Sequence, residues 1–467
     1  MICLFFAGFQ TVTAQTKWGL PGSPTGRALD ALLTVIDRGE EAQIRQFVET
    51  KFAPSFLNQF PVKQHIEIFL QLHKDLPGLN VGDVRKTGPQ SAQAILKSTQ
   101  NNNQFKLVVE IEQEAPYRYV SIGFEPQEAV KEVAYSTPKE LDRYLKEQTA
   151  DGLFSGVVLI AKNGKPVFEK AYGWVNKKYK VPNKIDTKFN IGSLNKFFTG
   201  VAVLQLVEKG ALHLDDPLSK HLSAFPQDIA DKITIRYLLQ HKAGWGAYWE
   251  NDYYLAHWTE LRTLDDYLAF IKDIPVDFEP GTRQQYSNTG YEVLGMVIEK
   301  VTGQSYYDYV RENVYKSAGM TGTDAYEKDG LVENLATGYT NHAPPRGKPG
   351  EGFQRENSLL PPAKGTAAGG GYSTAGDLLK FINAFRSFKL LSPKYTAMVN
   401  QDYEDVEHAP RRLRGGIGMA GGGQGINAVL EIEYGPGDIV IVLSNYDPPT
   451  ASKLGGQIMR TLVPNIN

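Results

Sequence analysis

The chain has 467 residues, with 50 Lys+Arg against 52 Asp+Glu, a net charge of −2, and 42% hydrophobic residues. That length suggests about three domains and leaves ample chain for a large core. The balanced charge removes the basic footprint of a nucleic-acid binder and favours a small or neutral substrate over a polyanion. The single cysteine, Cys3, excludes an intrachain disulfide, and it excludes a cysteine-based zinc site or nucleophile in the mature body.

Met1 to Gln15 is apolar through Phe9 and ends Val12-Thr13-Ala14-Gln15, which reads as a secretory leader over residues 1–15 with its basic start truncated. This predicts a secreted or periplasmic protein; the competing reading is a frayed apolar terminus. No other stretch approaches the ~18 apolar residues of a membrane span. Leu20-Pro21-Gly22-Ser23-Pro24-Thr25-Gly26 is a linker. A small α+β domain is expected over 25–125. Its helices are Ala28 to Phe52, broken near Gly39, and Val62 to Leu76; its strands are Ala92–Ile95, Phe105–Ile111 and Tyr117–Phe124. It carries no chemical motif, and its role stays open.

Glu125 to Thr137 is a polar connector, and a larger domain is expected over 137–465. It opens with a helix, Pro138 to Gln148. Asn163-Gly164 then separates Gly156–Ile160 from Val167–Tyr172, a two-residue hairpin signal. Helices dominate from Leu194 to Tyr315, and Leu378 to Phe385 is another. Ala428–Glu433 and Ile439–Leu443 flank Gly435-Pro436-Gly437, and Ala451 to Leu462 closes the domain with a helix. Strands at both ends with helices between imply one sheet that gathers distant parts of the chain. Pro344 to Glu356 is a long polar loop.

Three segments carry candidate chemistry. Ser193-Leu194-Asn195-Lys196 opens a helix whose buried stripe is Phe197, Val201 and Leu204. Three residues apart on one helix face, a lysine can take the serine's proton if burial lowers its pKa. Tyr286-Ser287-Asn288 precedes an apolar helix. A tyrosine near a lysine ionises more easily and can shuttle a proton, and Asn288 offers both donor and acceptor. The run Gly415 to Gly425 contains G-x-G-x-x-G from Gly416 to Gly421, but strands rather than a helix follow, so a dinucleotide site is rejected. Glycines at a strand instead admit a ligand close to the backbone, where an N–H can face an oxyanion. Trp245, Trp249, Tyr253 and Tyr254 are either core or an aromatic wall. His241 reads as a structural hydrogen-bonder beside the site.

The order of these segments resembles the serine beta-lactamase and penicillin-recognising hydrolases, especially the class C-related branch with its carboxylesterases and D-amino-acid peptidases. The likeness runs from Pro138 to Leu462. It takes in Phe189-Asn190-Ile191-Gly192-Ser193, Thr234 to His241, Tyr286-Ser287-Asn288, Gly319 to Thr323, Gly369 to Thr374 and Gly418 to Asn427. The resemblance implies an antiparallel sheet flanked by helices with a helical subdomain. It implies Ser193 as acylated nucleophile, Lys196 as its proton partner, Tyr286 as general acid/base and Asn288 as a substrate contact. The N–H groups of Ser193 and Gly422 would form the oxyanion hole. No metal or organic cofactor is implied. The expected partner is a small ester or amide.

One departure stands out. Met419-Ala420-Gly421 occupies the third motif, where Lys or His usually leads, and Gln424 stands where proline is frequent. Met419 cannot hydrogen-bond a carboxylate. As expectations, Met419, Gly421 and Gly422 join Asn288 as substrate-binding positions. The alternatives to an ester or amide hydrolase are a D,D-peptidase or beta-lactamase and a non-catalytic binding relative.

Overall fold

The structure, a computed structural model, describes residues 23–57, 62–88, 90–101, 103–127, 135–342, 354–399, 403, 416–433 and 437–466. The leader reading of residues 1–15, most of the connector and most of the 344–356 loop lie outside them. The chain divides into two compact units at 133/134.

In the first unit, helix α1 (Pro24–Arg38) starts on Ser23, whose side chain accepts the Gly26 N–H, and stops at Gly39 in the left-handed conformation at φ 65°. Helices α2 (Glu41–Lys51) and α3 (Val62–Asp75) follow, and then a meander of β1 (Leu79–Lys86), β2 (Ser91–Ser98), β3 (Gln104–Ile111) and β4 (Tyr119–Gln127), ordered β1-β2-β3-β4. The sequence reading missed β1. Asn80, Gly82 and Asp83 are poor strand formers, and β1 is an edge with a register shift between Val81 and Val84. Leu29, Leu33, Phe69, Leu96 and Leu107 belong to this unit's own core.

The second unit begins with α4 (Pro138–Ala150), capped by Thr137. Strands β5 (Gly156–Lys162) and β6 (Lys165–Tyr172) form the expected hairpin, and Asn163 and Gly164 both take positive φ, at 49° and 75°. Then come helices α5 (Asn195–Glu208), α6 (Asn288–Thr302) and α7 (Ala375–Arg386), strands β7 (Gly416–Gly423), β8 (Ile426–Glu433) and β9 (Ile439–Ser444), and helix α8 (Thr450–Thr461). The five-stranded antiparallel sheet runs β7-β8-β9-β5-β6, so the two ends of the unit meet at β9 and β5. The fold is α+β, as expected. The glycine-rich run turned out to be a strand in its own right, the edge strand β7; its glycines hide it from any propensity argument.

The central strands of the sheet are buried on both faces, and alternation sorts their residues. Val157, Leu159, Leu430, Ile441 and Leu443 face the helices that include α5 and α6. Val158, Ile160, Val440 and Val442 pack in a second cluster with residues of α4 and α8, among them Leu141, Leu145 and Leu454. Helix α5 is buried from Asn195 through Leu206, far beyond the single stripe the sequence suggested. Among the described residues, no helix is long and apolar enough to cross a membrane.

Candidate active site

Ser193 sits in a single 3₁₀ turn, Gly192–Leu194, that runs directly into α5, rather than in the first α-helical turn itself. Gly192 takes φ 50°, and a β-carbon there would lie 2.8 Å from the Gly422 nitrogen, so the serine turn and strand β7 meet backbone to backbone.

Helix α5 grips one strip of chain with three side chains. Asn195 donates to the Thr366 carbonyl at 2.8 Å, Lys196 to the Ala368 carbonyl at 2.5 Å, and Thr199 to the Ala367 carbonyl at 2.7 Å. The strip continues along the serine turn through Gly370 N–H to the Gly192 carbonyl and Ile191 N–H to the Gly371 carbonyl. These bonds fix Lys196 in a buried position. Its Nζ reaches the Asn288 Oδ1 at 2.7 Å and the Ser193 Oγ at 3.3 Å.

Asn288 is the first residue of α6, whose start Ser287 caps by accepting the Gly290 N–H at 2.8 Å and whose end is Gly303 at φ 71°. Tyr286 precedes the cap and donates its hydroxyl to Ser193 Oγ at 2.7 Å. His241 clips this segment from both sides. Its carbonyl accepts the Gln285 N–H at 2.9 Å, its Nδ1 accepts the Ser287 N–H at 3.1 Å, and its ring lies 4.8 Å from that of Tyr286.

Burial pushes the Lys196 ammonium down to about 7, opposed by the charge of Glu292. Burial, then the Lys196 charge, holds His241 down to about 4, so it is a neutral acceptor of the Ser287 N–H near pH 7. The sequence led to the expectation that Tyr286 ionises more easily beside a lysine; its surroundings act in the other direction. Burial raises its pKa and only the Ser193 hydrogen bond opposes this, so the phenol keeps its proton.

Ser193 and Asn288 open onto a cavity of about 720 Å³. Of the four aromatic candidates, Trp249 and Tyr254 line it. Trp245 is core, donating its indole N–H to the Ile274 carbonyl at 3.0 Å, and Tyr253 stacks on Phe270 outside the cavity. Tyr248, which sequence reasoning passed over, completes the wall.

Of the glycine-rich positions, Gly422 lines the cavity, together with Gly423. Gly421 does not; it packs on the serine turn. Met419 also stands outside the lining, half-buried against the main core and opposite Leu430 in the ladder. Sequence reasoning also missed Glu292, fully buried one turn beyond Asn288, which accepts from the Tyr248 hydroxyl at 2.8 Å and the Thr366 hydroxyl at 2.5 Å. Its signal was an acid in the apolar stretch Tyr291 to Ile298 of this helix. No cluster of His, Cys, Asp and Glu suited to a metal ion occurs among the described residues.

A Ser-x-x-Lys pair and a Tyr-x-Asn turn set against the edge of a five-stranded antiparallel sheet define the beta-lactamase-like class of folds. The family model described as Beta-lactamase matches residues 141–455, and the chain belongs to that family. It is 32% identical over 262 residues to the teichoic acid D-alanine hydrolase of Staphylococcus aureus, a match covering 55% of this chain and 60% of that one. The match thus spans about 60% of the length of that curated relative. Among solved structures, a penicillin-binding protein from Bacillus halodurans superposes with a TM-score of 0.58 at 29% identity, covering 68% of this chain and 97% of that one. EstCE1, a hydrolase with promiscuous acyltransferase activity, gives a TM-score of 0.57 at 25% identity, covering 70% of this chain and 98% of that one.

Proposed function

We propose that the chain is a serine hydrolase that cleaves a small ester or amide through an acyl-enzyme on Ser193. The observation that carries this reading is the hydrogen bonding of Lys196. A neutral amine has two N–H groups and one lone pair. The carbonyl oxygens of Asn288 and Ala368 take the two hydrogens, which leaves the lone pair for the Ser193 hydroxyl at 3.3 Å. With its pKa near 7, the amine is available as a base at neutral pH.

Ser193 Oγ then attacks the carbonyl carbon while its proton passes to Lys196. The developing oxyanion lies against the N–H groups of Ser193 and Gly422. Tyr286 gives its phenolic proton to the departing alkoxide or amine, and the Lys196 ammonium restores it. Water later attacks the acyl carbon, its second proton returning to Oγ, and the acid leaves. Met419 in place of a basic residue favours neutral acyl groups over the carboxylate-bearing penicillins and peptidoglycan stems. The name of the Staphylococcus aureus relative makes D-alanyl esters and amides the first substrates to screen. The leader-like residues 1–15 support export to the periplasm or medium.

The test is mass spectrometry after exposure to a fluorophosphonate, with Ser193→Ala alongside. A single adduct on Ser193, absent from the mutant, is expected. No adduct on folded protein would turn the reading to a non-catalytic binding relative.

A further inference from the structure

Glu292 is a fully buried acid to which the mechanism above gives no task. It projects from α6 one turn past Asn288, and its Oε1 accepts from Tyr248 and Thr366, both of which line the cavity. Thr366 is two residues before Ala368, whose carbonyl holds Lys196. The acid and the base are thus anchored on the same strip of chain.

We propose that Glu292 is the counter-charge of Lys196: a positioning residue that sets the lysine's proton affinity and stabilises the ammonium formed when Ser193 gives up its proton.

The charges around the pair make this specific. His241, the nearby histidine, is held neutral near pH 7. Burial raises the pKa values of Tyr248, Tyr267, Tyr286, Tyr306 and Tyr307, so these keep their protons. Among the described residues, the charge of Glu292 acts on Lys196 and raises the lysine against desolvation by burial. In return, burial lifts the Glu292 carboxyl to about 7, opposed by the Thr366 and Tyr248 hydroxyls and by Lys196. Each group thus favours the charged form of the other. The form with Lys196 neutral attacks, and the form with Lys196 charged and Glu292 ionised is the one that proton abstraction creates.

The proposal rests on Lys196 acting as the base for Ser193, so its test reads that step directly. The rate of fluorophosphonate acylation is followed against pH for the full chain, Glu292→Gln and Glu292→Asp. Glutamine keeps an oxygen for Tyr248 and Thr366 but removes the charge. Without it Lys196 loses its proton more easily, so the acid limb should move to lower pH by roughly one unit. The weaker base should lower the plateau roughly threefold. Aspartate keeps the charge but is too short to hold both hydroxyls, so its acid limb should stay near the wild-type position. A structural role predicts the reverse order, with Asp more disturbed than Gln. If Glu292→Gln does not fold, Glu292→Met, of similar volume and uncharged, serves in its place. An acid limb unmoved by loss of the charge, in a wild type that does label at Ser193, overturns this proposal alone. A wild type that does not label overturns the hydrolase reading and this proposal with it.

Discussion

Gly421 presses its Cα against the carbonyl of Ile191: a β-carbon there would lie 1.9 Å from the Ile191 oxygen and 2.8 Å from the Ser193 nitrogen. Contacts that short are incompatible with any side chain, so the edge strand β7 lies on the serine turn with no side chain between them. This approach brings the Gly422 nitrogen beside Gly192 and the Ser193 amide.

Gly421→Ala must therefore push β7 and the serine turn apart. Loss of one oxyanion donor typically lowers turnover about 10²–10³-fold. We expect Ser193 acylation to fall by at least about 100-fold, with far-UV circular dichroism retained. Labelling at the wild-type rate would show that this backbone contact is not used in the reaction.

The acylation rate of the unmodified protein should follow the neutral form of Lys196. That group's pKa is lowered by burial to about 7, so the rate should be small below pH 6 and rise through about 7. The Tyr286 pKa is raised from its ordinary value, so no loss from phenol ionisation is expected below pH 10. An acid limb near pH 4 would assign control to His241 instead.

Tyr286→Phe removes the hydroxyl that donates to Ser193 Oγ and leaves the ring on His241. General acid catalysis is typically worth about 10²–10⁴-fold, so acylation should fall by at least about 100-fold while the melting temperature barely changes. Melting lowered by many degrees would show that the hydroxyl acts chiefly in stability.

The sequence made some features of this site readable and concealed others, for physical reasons. Ser193, Lys196, Tyr286 and Asn288 could be found because each lies at a helix start or in a spaced motif, and local geometry carried them to one point. The hairpin at Asn163-Gly164 was legible because two positive φ values demand those residues. Strand β7 was not, since its glycines are selected by close approach rather than by strand propensity. Glu292 was hidden because its partners, Tyr248 and Thr366, are 44 and 74 residues away. The same holds for Met419. Its place in the motif was evident, but its packing against the core was decided by the fold of the sheet.

Met419→His offers a direct check on carboxylate recognition. Met419 and Gly421 are two residues apart on β7 and share a strand face, so a histidine there enters the face that bears the serine turn. A hydrogen bond to a charged group contributes about 1.5–3 kcal/mol. The ratio of kcat/KM for a carboxylate-bearing substrate to that for its neutral analogue should therefore rise roughly tenfold. An unchanged ratio in a folded variant would show that this position does not govern carboxylate selection.

Trp249 tests the acyl side of the cavity. It lines the cavity with Tyr248 and Tyr254, and its ring lies 4.5 Å from that of Tyr248 and 5.4 Å from that of Tyr254, so the three form one continuous aromatic wall. Each methylene buried against such a wall contributes about 0.8 kcal/mol. Trp249→Ala removes the central surface without touching Ser193, Lys196 or Tyr286. In a series of esters of increasing acyl length, the gain in kcat/KM per added methylene should flatten in the variant, while the shortest acetyl ester is hydrolysed at a nearly unchanged rate. A slope equal to that of the wild type would place the acyl chain elsewhere. Equal loss on all chain lengths would mean instead that Trp249 supports the geometry of the reacting groups.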